Sequence, residues 1–422
     1  MWVRTQLKIG WGDLFAGAFA AILPPDRARA QAEAEGYFSG HGDTMAAYSV
    51  RSGLDLLVQA LDLKPGDEVI FSALNVKGMV RIVREAGLVA VPVDLDIARM
   101  GPSLERLKTA ITPRSKVFIA AHLFGGRLDL DPLFHHAKSL GITAVEDCAQ
   151  AFNGKAYPGS VAADVSMFSF GPIKTSTALG GALIRVKDAG LRSRMRAIQA
   201  SYPVQGNGKH LKRITQFMGL KVVTMPMVLG AIFWWMDRKK VKAAPKAAVA
   251  PVGEAAPQVY EDKLADRVRD VAPLKTKEGL RNQPSAAMLA LMNRRLKAYD
   301  GEMIRIRMKK GELLRDRLNG AVVLPAQGNP HHDYWVFALL VNEPRKFIDA
   351  LRREGFDASD LPRSQHIAAP DDRPALEPKI AAKAMKDLIV VPCYDDMPDQ
   401  ELIRMAEVIR KVAAEVPART EV

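Results

Sequence analysis

Cysteine is nearly absent: Cys148 and Cys393 are the two among 422 residues, far apart and in apolar surroundings. That excludes a disulfide framework and suits a reducing cytoplasm. Cys148 reads as a small buried filler, not as a nucleophile. No histidines and cysteines fall at zinc-site spacing, so no structural metal is expected. Aromatics make up 7% of the chain and do not interleave with the basic residues. No stretch resembles a nucleic-acid module, so no nucleic-acid partner is expected. Acids are also short, 47 against 60 Lys and Arg, which leaves a formal net charge of +13 and a pI near 9.6. With nucleic acid set aside, anionic phosphosubstrates and anionic lipid remain as reasons for that excess. A charge-free run long enough to cross a membrane is missing too.

What the chain has is a core. It is 48% hydrophobic and 25% charged, which describes a folded protein, and its length suits one large and one smaller domain sharing a site. Between Tyr48 and Val186, short apolar strands alternate with helical patterns, the order of a parallel sheet in a doubly wound α/β domain. Expected strands include Glu68–Phe71, Val89–Val93 and Lys116–Leu123, with a helix over Leu130–Leu140. His122 reads as a satisfied strand-end histidine. Toward the C-terminus, a strand over His332–Val341, a helix over Lys346–Glu354, a strand at Leu388 and a closing helix make a compact α+β unit.

The chemistry concentrates between Ile142 and Val186. One apolar run ends in Glu146-Asp147, as a buried strand would if it delivered a carboxylate at its C-terminal edge. A second run, Val165–Phe170, carries Ser169 and breaks at Gly171-Pro172, and a lone Lys174 follows among small and hydroxylated residues. A third run, Ala182–Val186, starts after Gly180-Gly181. An acid and an amine brought together at strand ends meet the needs of pyridoxal 5′-phosphate. The amine joins the cofactor aldehyde and moves the substrate proton, and the carboxylate keeps the ring nitrogen protonated. Near Tyr48, a helix opening at Arg51-Ser52-Gly53 offers free amides, the Ser52 hydroxyl and the Arg51 charge as a phosphate cradle; an ordinary serine cap beside an exposed arginine is the alternative.

The strings VEDCAQAF and MFSFGPIKTSTALGGAL closely resemble the core motif of the DegT/DnrJ/EryC1/StrS aminotransferases. The resemblance covers about residues 40–200 and 275–415. It implies a fold-type-I architecture in which a large doubly wound domain (41–280) is followed by a linking helix and a small C-terminal domain (281–422). It further implies pyridoxal 5′-phosphate with Lys174 as the Schiff-base lysine, Asp147 on the ring nitrogen, Gln150 near the 3-hydroxyl and Ser169 on the phosphate. Arg51 and Ser52 stand where relatives usually have a Gly-Thr pair for the phosphate. Val76 stands near where many relatives stack an aromatic on the ring. The turn at Arg281-Asn282-Gln283 replaces an Asn-Tyr-Arg-Met-like turn, so Asn282 is the candidate to reach a partner's phosphate.

The activity implied is transfer of an amino group from an amino acid, usually L-glutamate, to a keto or aldehyde acceptor. The family pattern makes that acceptor a nucleotide-linked keto sugar and the working unit a homodimer. A related dehydratase would carry histidine in place of Lys174. A non-catalytic, cofactor-binding regulator is the reading from another class.

Two stretches fall outside the resemblance. Residues 1–40 carry an apolar run, Ile9–Leu23, interrupted by Asp13, which fits a helix at a membrane interface or one packed on the protein. An insertion at about 209–257 holds the uncharged Val222–Met236, flanked by Lys209, Lys212 and Arg213 before and Arg238-Lys239-Lys240 after. About fifteen residues with Pro226 inside are too short to span a roughly 30 Å core. Monotopic insertion is one reading, with Trp234 and Trp235 at the headgroups, and a buried or dimer-interface segment is the other. The Ala/Pro-rich run Val241–Pro257 reads as a linker. The expected location is the cytoplasm or the cytoplasmic face of the inner membrane, and an acceptor carried by a lipid is the alternative to a soluble sugar.

Overall fold

Seven strands organise the chain: β1 (Thr44–Ala47), β2 (Glu68–Ser72), β3 (Val89–Val93), β4 (Ser115–Ala121), β5 (Thr143–Asp147), β6 (Val165–Ser169) and β7 (Ala182–Val186). They form one sheet in the order β1-β7-β6-β5-β4-β2-β3. The run from β6 to β3 is parallel, and β7 lies antiparallel to both β6 and β1. The structure, a computed structural model, describes residues 2–3, 7–38, 42–223, 277–361, 364–417 and 419. The sequence expectation of a doubly wound sheet therefore holds, with an antiparallel edge added on the β1 side.

These strands are apolar along nearly their whole length because both faces are covered. On one face, α3 (Val50–Ala60), α4 (Lys77–Glu85) and α7 (Ala189–Ala200) pack on Phe71, Val145, Met167 and Ile184. On the other, α5 (Leu104–Ala110) and α6 (Asp131–Ser139) cover Ile70, Phe118 and Ala144. The rest of that face, around Ala46, Phe168 and Leu183, is covered by α1 (Trp11–Ile22), α2 (Arg27–Glu35), α8 (Asn207–Val223) and α9 (Ala286–Lys297). The N-terminal helix is thus a packed one on its inner side. Leu14, Gly17 and Ala21 are buried, and Asp13 pairs with Arg294 and Arg295 of α9 at 2.7 and 2.6 Å. Its outer stripe of Phe15, Phe19 and Ile22 is more than 60% exposed. No helix among the described residues is long and apolar enough to cross a membrane. The apolar stretch beyond Val223, with Trp234 and Trp235, and the run 241–257 lie outside the described residues.

Two elements differ from the sequence reading. The expected linking helix is two helices, α9 and α10 (Glu302–Leu318). Gly301 at φ +79 turns the chain between them, and the Asp300 side chain accepts the Glu302 amide at 3.0 Å. The expected strand from His332 to Val341 is split. His331–His332 pair with Gly126–Arg127, while β8 (Phe337–Leu340) starts five residues later. The break comes from Asp333, whose carboxylate accepts the Trp335 amide at 2.9 Å and closes a local turn that competes with the strand ladder. Strand β8 pairs antiparallel with β9 (Leu388–Val391), and α10, α11 (Pro344–Arg353) and α12 (Asp399–Glu415) pack around them on Phe337, Phe347, Ile389 and Ile409.

The C-terminal unit is stitched to the sheet at the ends of parallel strands. After β4 the chain turns through Phe124 and Gly125 at φ +60 and +94, and the Gly125 carbonyl accepts the Asp333 amide at 2.9 Å. A Cβ on Gly125 would lie 2.2 Å from Asp333 Oδ1 and 2.5 Å from the Trp335 amide nitrogen, backbone and side chain that cannot both retreat. Gly125→Ala is therefore expected to cost roughly 2–4 kcal/mol, from overpacking plus a left-handed alanine. Chemical denaturation monitored by tryptophan fluorescence checks this, and a loss under about 0.5 kcal/mol would contradict the close approach.

Candidate active site

The C-terminal ends of β2, β4, β5 and β6 open on the same edge of the sheet, the place where open α/β sheets hold ligands. Strand β1 is parallel to β6, so its exit also lies there and feeds the N-terminus of α3. Strand β7 enters from that edge through Gly180-Gly181. Asp147, Gln150, Ser169, Lys174 and the start of α3 are therefore gathered by topology alone.

Adjacent acids on β5 meet opposite fates because successive side chains leave a strand on opposite faces. Glu146 is fully buried and saturated. It accepts His122 Nε2 at 2.8 Å, the Ser160 amide at 2.8 Å, Ser166 Oγ at 2.9 Å and the Tyr157 hydroxyl. The Leu128 amide donates to His122 Nδ1 at 3.1 Å, which leaves Nε2 to donate to Glu146. Burial alone would raise the Glu146 carboxyl, but these donors outweigh it and bring it down to about 2. His122 is thus the satisfied strand-end histidine expected. Cys148 Sγ, His122 and Glu146 come within 4.8 Å of one another, a convergence invisible in their spacing. The histidine and carboxylate are already taken by hydrogen bonds, so the cluster is a structural network that ties β4 to β5.

Asp147 is the opposite case. It is 7% exposed, and Oδ1 accepts the Ala149 amide at 2.9 Å. Among the described residues Oδ2 has no donor. Burial raises its carboxyl above the usual range, partly offset by the Ala149 amide and by Lys174. Such a group gains most from a positive ring N–H placed at the free oxygen.

Lys174 lies in the loop from Gly171 to Gly180, with its amide on the Gly171 carbonyl at 3.1 Å. The Phe170 carbonyl accepts the Ala178 and Gly180 amides, both at 3.0 Å, and closes the loop. Burial brings the Lys174 amine down to about 8, and Asp147 works in the other direction. Its Nζ sits 4.3 Å from the centre of the Trp335 ring, whose indole N–H donates to the Ile173 carbonyl at 3.1 Å. An amine near 8 is a free nucleophile about a tenth of the time at pH 7 and about half the time at pH 8, far more than an ordinary lysine, as carbonyl chemistry requires.

Gln150 is held by the Phe124 amide, which donates to its Oε1 at 2.8 Å. Ser169 is half-buried at the end of β6, with the Gly171 amide 3.4 Å from its Oγ. The cap of α3 is Ser49, one turn earlier than read from the sequence: Ser49 Oγ accepts the Ser52 amide at 3.1 Å. The Ser52 hydroxyl turns inward to the Leu280 carbonyl at 2.8 Å. Arg51 lies half-buried on the first turn of α3. Asn282 lies two residues after Leu280, its amide on the Leu280 carbonyl at 2.9 Å, and the intervening Arg281 pairs with Asp55 of α3 at 3.0 Å. The Asn282 turn is therefore beside the α3 N-terminus of its own chain. Val76 is 38% exposed and caps α4, and the strand that contains it pairs with Ser364–His366. Trp335 was missed, and no signal in the sequence ties it to a lysine 161 positions away. The amine, the open carboxylate and the helix N-terminus fit pyridoxal 5′-phosphate.

Fold and site together define a fold-type-I aminotransferase architecture. Residues 28–222 match the DegT/DnrJ/EryC1/StrS aminotransferase family. It is 30% identical over 200 residues to the UDP-N-acetyl-3-dehydro-alpha-D-glucosamine 3-aminotransferase of Acidithiobacillus ferrooxidans. That match spans 47% of this chain and only about half, 54%, of that relative. An aminotransferase from Streptoalloteichus hindustanus superposes with a TM-score of 0.69 at 16% identity, over 99% of this chain and 100% of the other. A Bacillus subtilis structure with bound cofactor PMP superposes at 0.64 with 17% identity, over 96% and 83%. These structural likenesses establish the fold.

The pH dependence of Lys174 follows from its surroundings. Its amine is protonated below about 8 and free above it, so mass-spectrometric labelling of Lys174 in cofactor-free protein should rise with a midpoint near 8, not the usual 10.5. Asp147→Asn removes the charge that favours the ammonium form, so the midpoint should fall further. A midpoint that rises in this variant contradicts the coupling.

Proposed function

We propose that this chain is a pyridoxal 5′-phosphate-dependent aminotransferase. It takes an amino group from an amino acid, with L-glutamate the first donor to test, and delivers it to the keto group of a nucleotide-linked sugar. The observation that carries the proposal is the amine of Lys174, lowered to about 8, coupled to a buried Asp147 whose second oxygen is open. The acceptor class is supported by the sequence match to an enzyme named for a UDP-linked keto sugar.

The bound cofactor would supply an electron sink for the charge left at the donor Cα. Asp147 would hold the proton on the ring nitrogen, and Gln150, pinned by Phe124, would border the ring. Ser169 and the start of α3 with Arg51 would receive the phosphate, with Asn282 at their side, whereas the Ser52 hydroxyl is already committed to the Leu280 carbonyl. Lys174 would hold the cofactor through its aldehyde carbon until a donor amine takes its place, and its freed amine would carry the proton away from Cα. Trp335 covers the amine and limits the entry of water. The working unit in this reading is a homodimer, on the family pattern of sites closed by a second subunit. The exposed stripe of Phe15, Phe19 and Ile22 favours a second reading, in which the acceptor waits at an anionic membrane surface.

Visible spectroscopy of the loaded protein tests this. L-glutamate should bleach the cofactor band, a keto sugar nucleotide should restore it, and Lys174→Ala should do neither. A band indifferent to every amino acid would leave only a cofactor-binding regulator. If Phe15→Ser/Phe19→Ser abolishes binding to anionic vesicles while soluble-sugar turnover persists, the membrane acceptor is out.

A further inference from the structure

A second set of polar groups is gathered behind the start of α3, with no acid among them. Tyr48, at the exit of β1, is buried, and its carbonyl accepts the Gly181 amide at 3.2 Å. Its hydroxyl meets Gln205 Nε2 at 3.2 Å. Gln205 lies in the link between α7 and α8, its backbone amide fixed on the Gln283 carbonyl at 3.0 Å, next to Asn282. Its side chain is 7% exposed, and Oε1 has no hydrogen-bond partner. Farther along, α8 carries His210 and Arg213, three residues apart and so on one helix face. His210 is fully buried with neither ring nitrogen bonded, and Arg213 Nε is buried and unpartnered. Arg213 and Arg51 both lie within electrostatic reach of the Tyr48 hydroxyl. Among the described residues no carboxylate pairs with Arg213.

Burying a cation without a counter-charge is strongly unfavourable, and each orphaned polar atom adds about 1–3 kcal/mol. Four such atoms on three neighbouring residues are explained if a ligand completes them. The missing species is an anion, because the cluster has two guanidinium groups and the positive end of α3 close to it. Rotating the Gln205 amide by half a turn lets Oε1 accept the Tyr48 O–H and aims the NH2 group into the same space. We propose that Gln205, His210 and Arg213 form, with Tyr48 and the start of α3, a phosphate-binding site supplied by the chain's own α8. The phosphate comes from the cofactor or from the nucleotide of the acceptor. This assignment of sources rests on the aminotransferase reading; the anion site itself does not.

The test uses the full chain, freed of cofactor, with four probes: pyridoxal 5′-phosphate, pyridoxal, UDP and inorganic phosphate. Binding is read by absorbance for the first two and by calorimetry for the others. Arg213→Met should weaken phosphate-bearing probes roughly 10- to 100-fold and leave pyridoxal unchanged, and Arg213→Lys should retain most of the affinity. A loss confined to pyridoxal 5′-phosphate names the cofactor as the source, and a loss confined to UDP names the nucleotide. Should Arg213→Met not fold, Gln205→Leu carries the same expectation with a smaller loss. If both variants bind all four probes as the wild type does, the orphaned atoms hold only water and the site is overturned. If wild-type protein binds no pyridoxal 5′-phosphate but Arg213→Met still loses inorganic phosphate, the aminotransferase reading falls and the anion site stands.

Discussion

An amine and a carboxylate, both pressed toward neutrality by burial, lie within electrostatic reach of one another where parallel strands end. Lys174 is brought down to about 8 and Asp147 is pushed up, so neither group is at ease with its neighbours as they stand. A structure tolerates such a pair only if the elements holding it are over-determined. Here they are: β5 and β6 lie inside the sheet, the Phe170 carbonyl locks the lysine loop, and the Ala149 amide fixes one carboxylate oxygen.

The neighbouring acid shows how that rigidity is produced. Glu146 takes four donors on two oxygens and binds β4, β6 and the loop through Tyr157 and Ser160 to the middle of the sheet. One residue on, the same strand presents an acid with an open oxygen. Strand alternation sorts the two, one for cohesion and one for chemistry, without any difference in residue class. The C-terminal unit contributes in the same way, since the Asp333 turn that interrupts a strand also delivers Trp335 over the lysine.

Much of this was legible in the sequence because the relevant signals are local. The apolar runs that end in Asp147 and Ser169, and the break before Lys174, mark the sheet edge and its reactive groups within 35 residues of each other. Parallel pairing was implied by the alternation of strands and helices, although the strand order and the antiparallel placing of β7 and β1 were not. What escaped depends on distant partners. Trp335 meets Lys174 only after folding, and the Ser52 hydroxyl, read as a phosphate ligand, turns to a carbonyl 228 residues away. Arg213 looked like one basic flank of an apolar insertion, because a charge on a helix face carries no mark of whether it lies in water or is buried without a partner.

The most direct test of the account is where the cofactor becomes attached. Protein loaded with pyridoxal 5′-phosphate, reduced with borohydride and digested, should carry the added mass on the peptide containing Lys174, and Asp147→Asn should weaken loading without moving the site. Label on another lysine, or none on Lys174, would contradict the claim that this amine and carboxylate are the centre the rest of the fold holds in place.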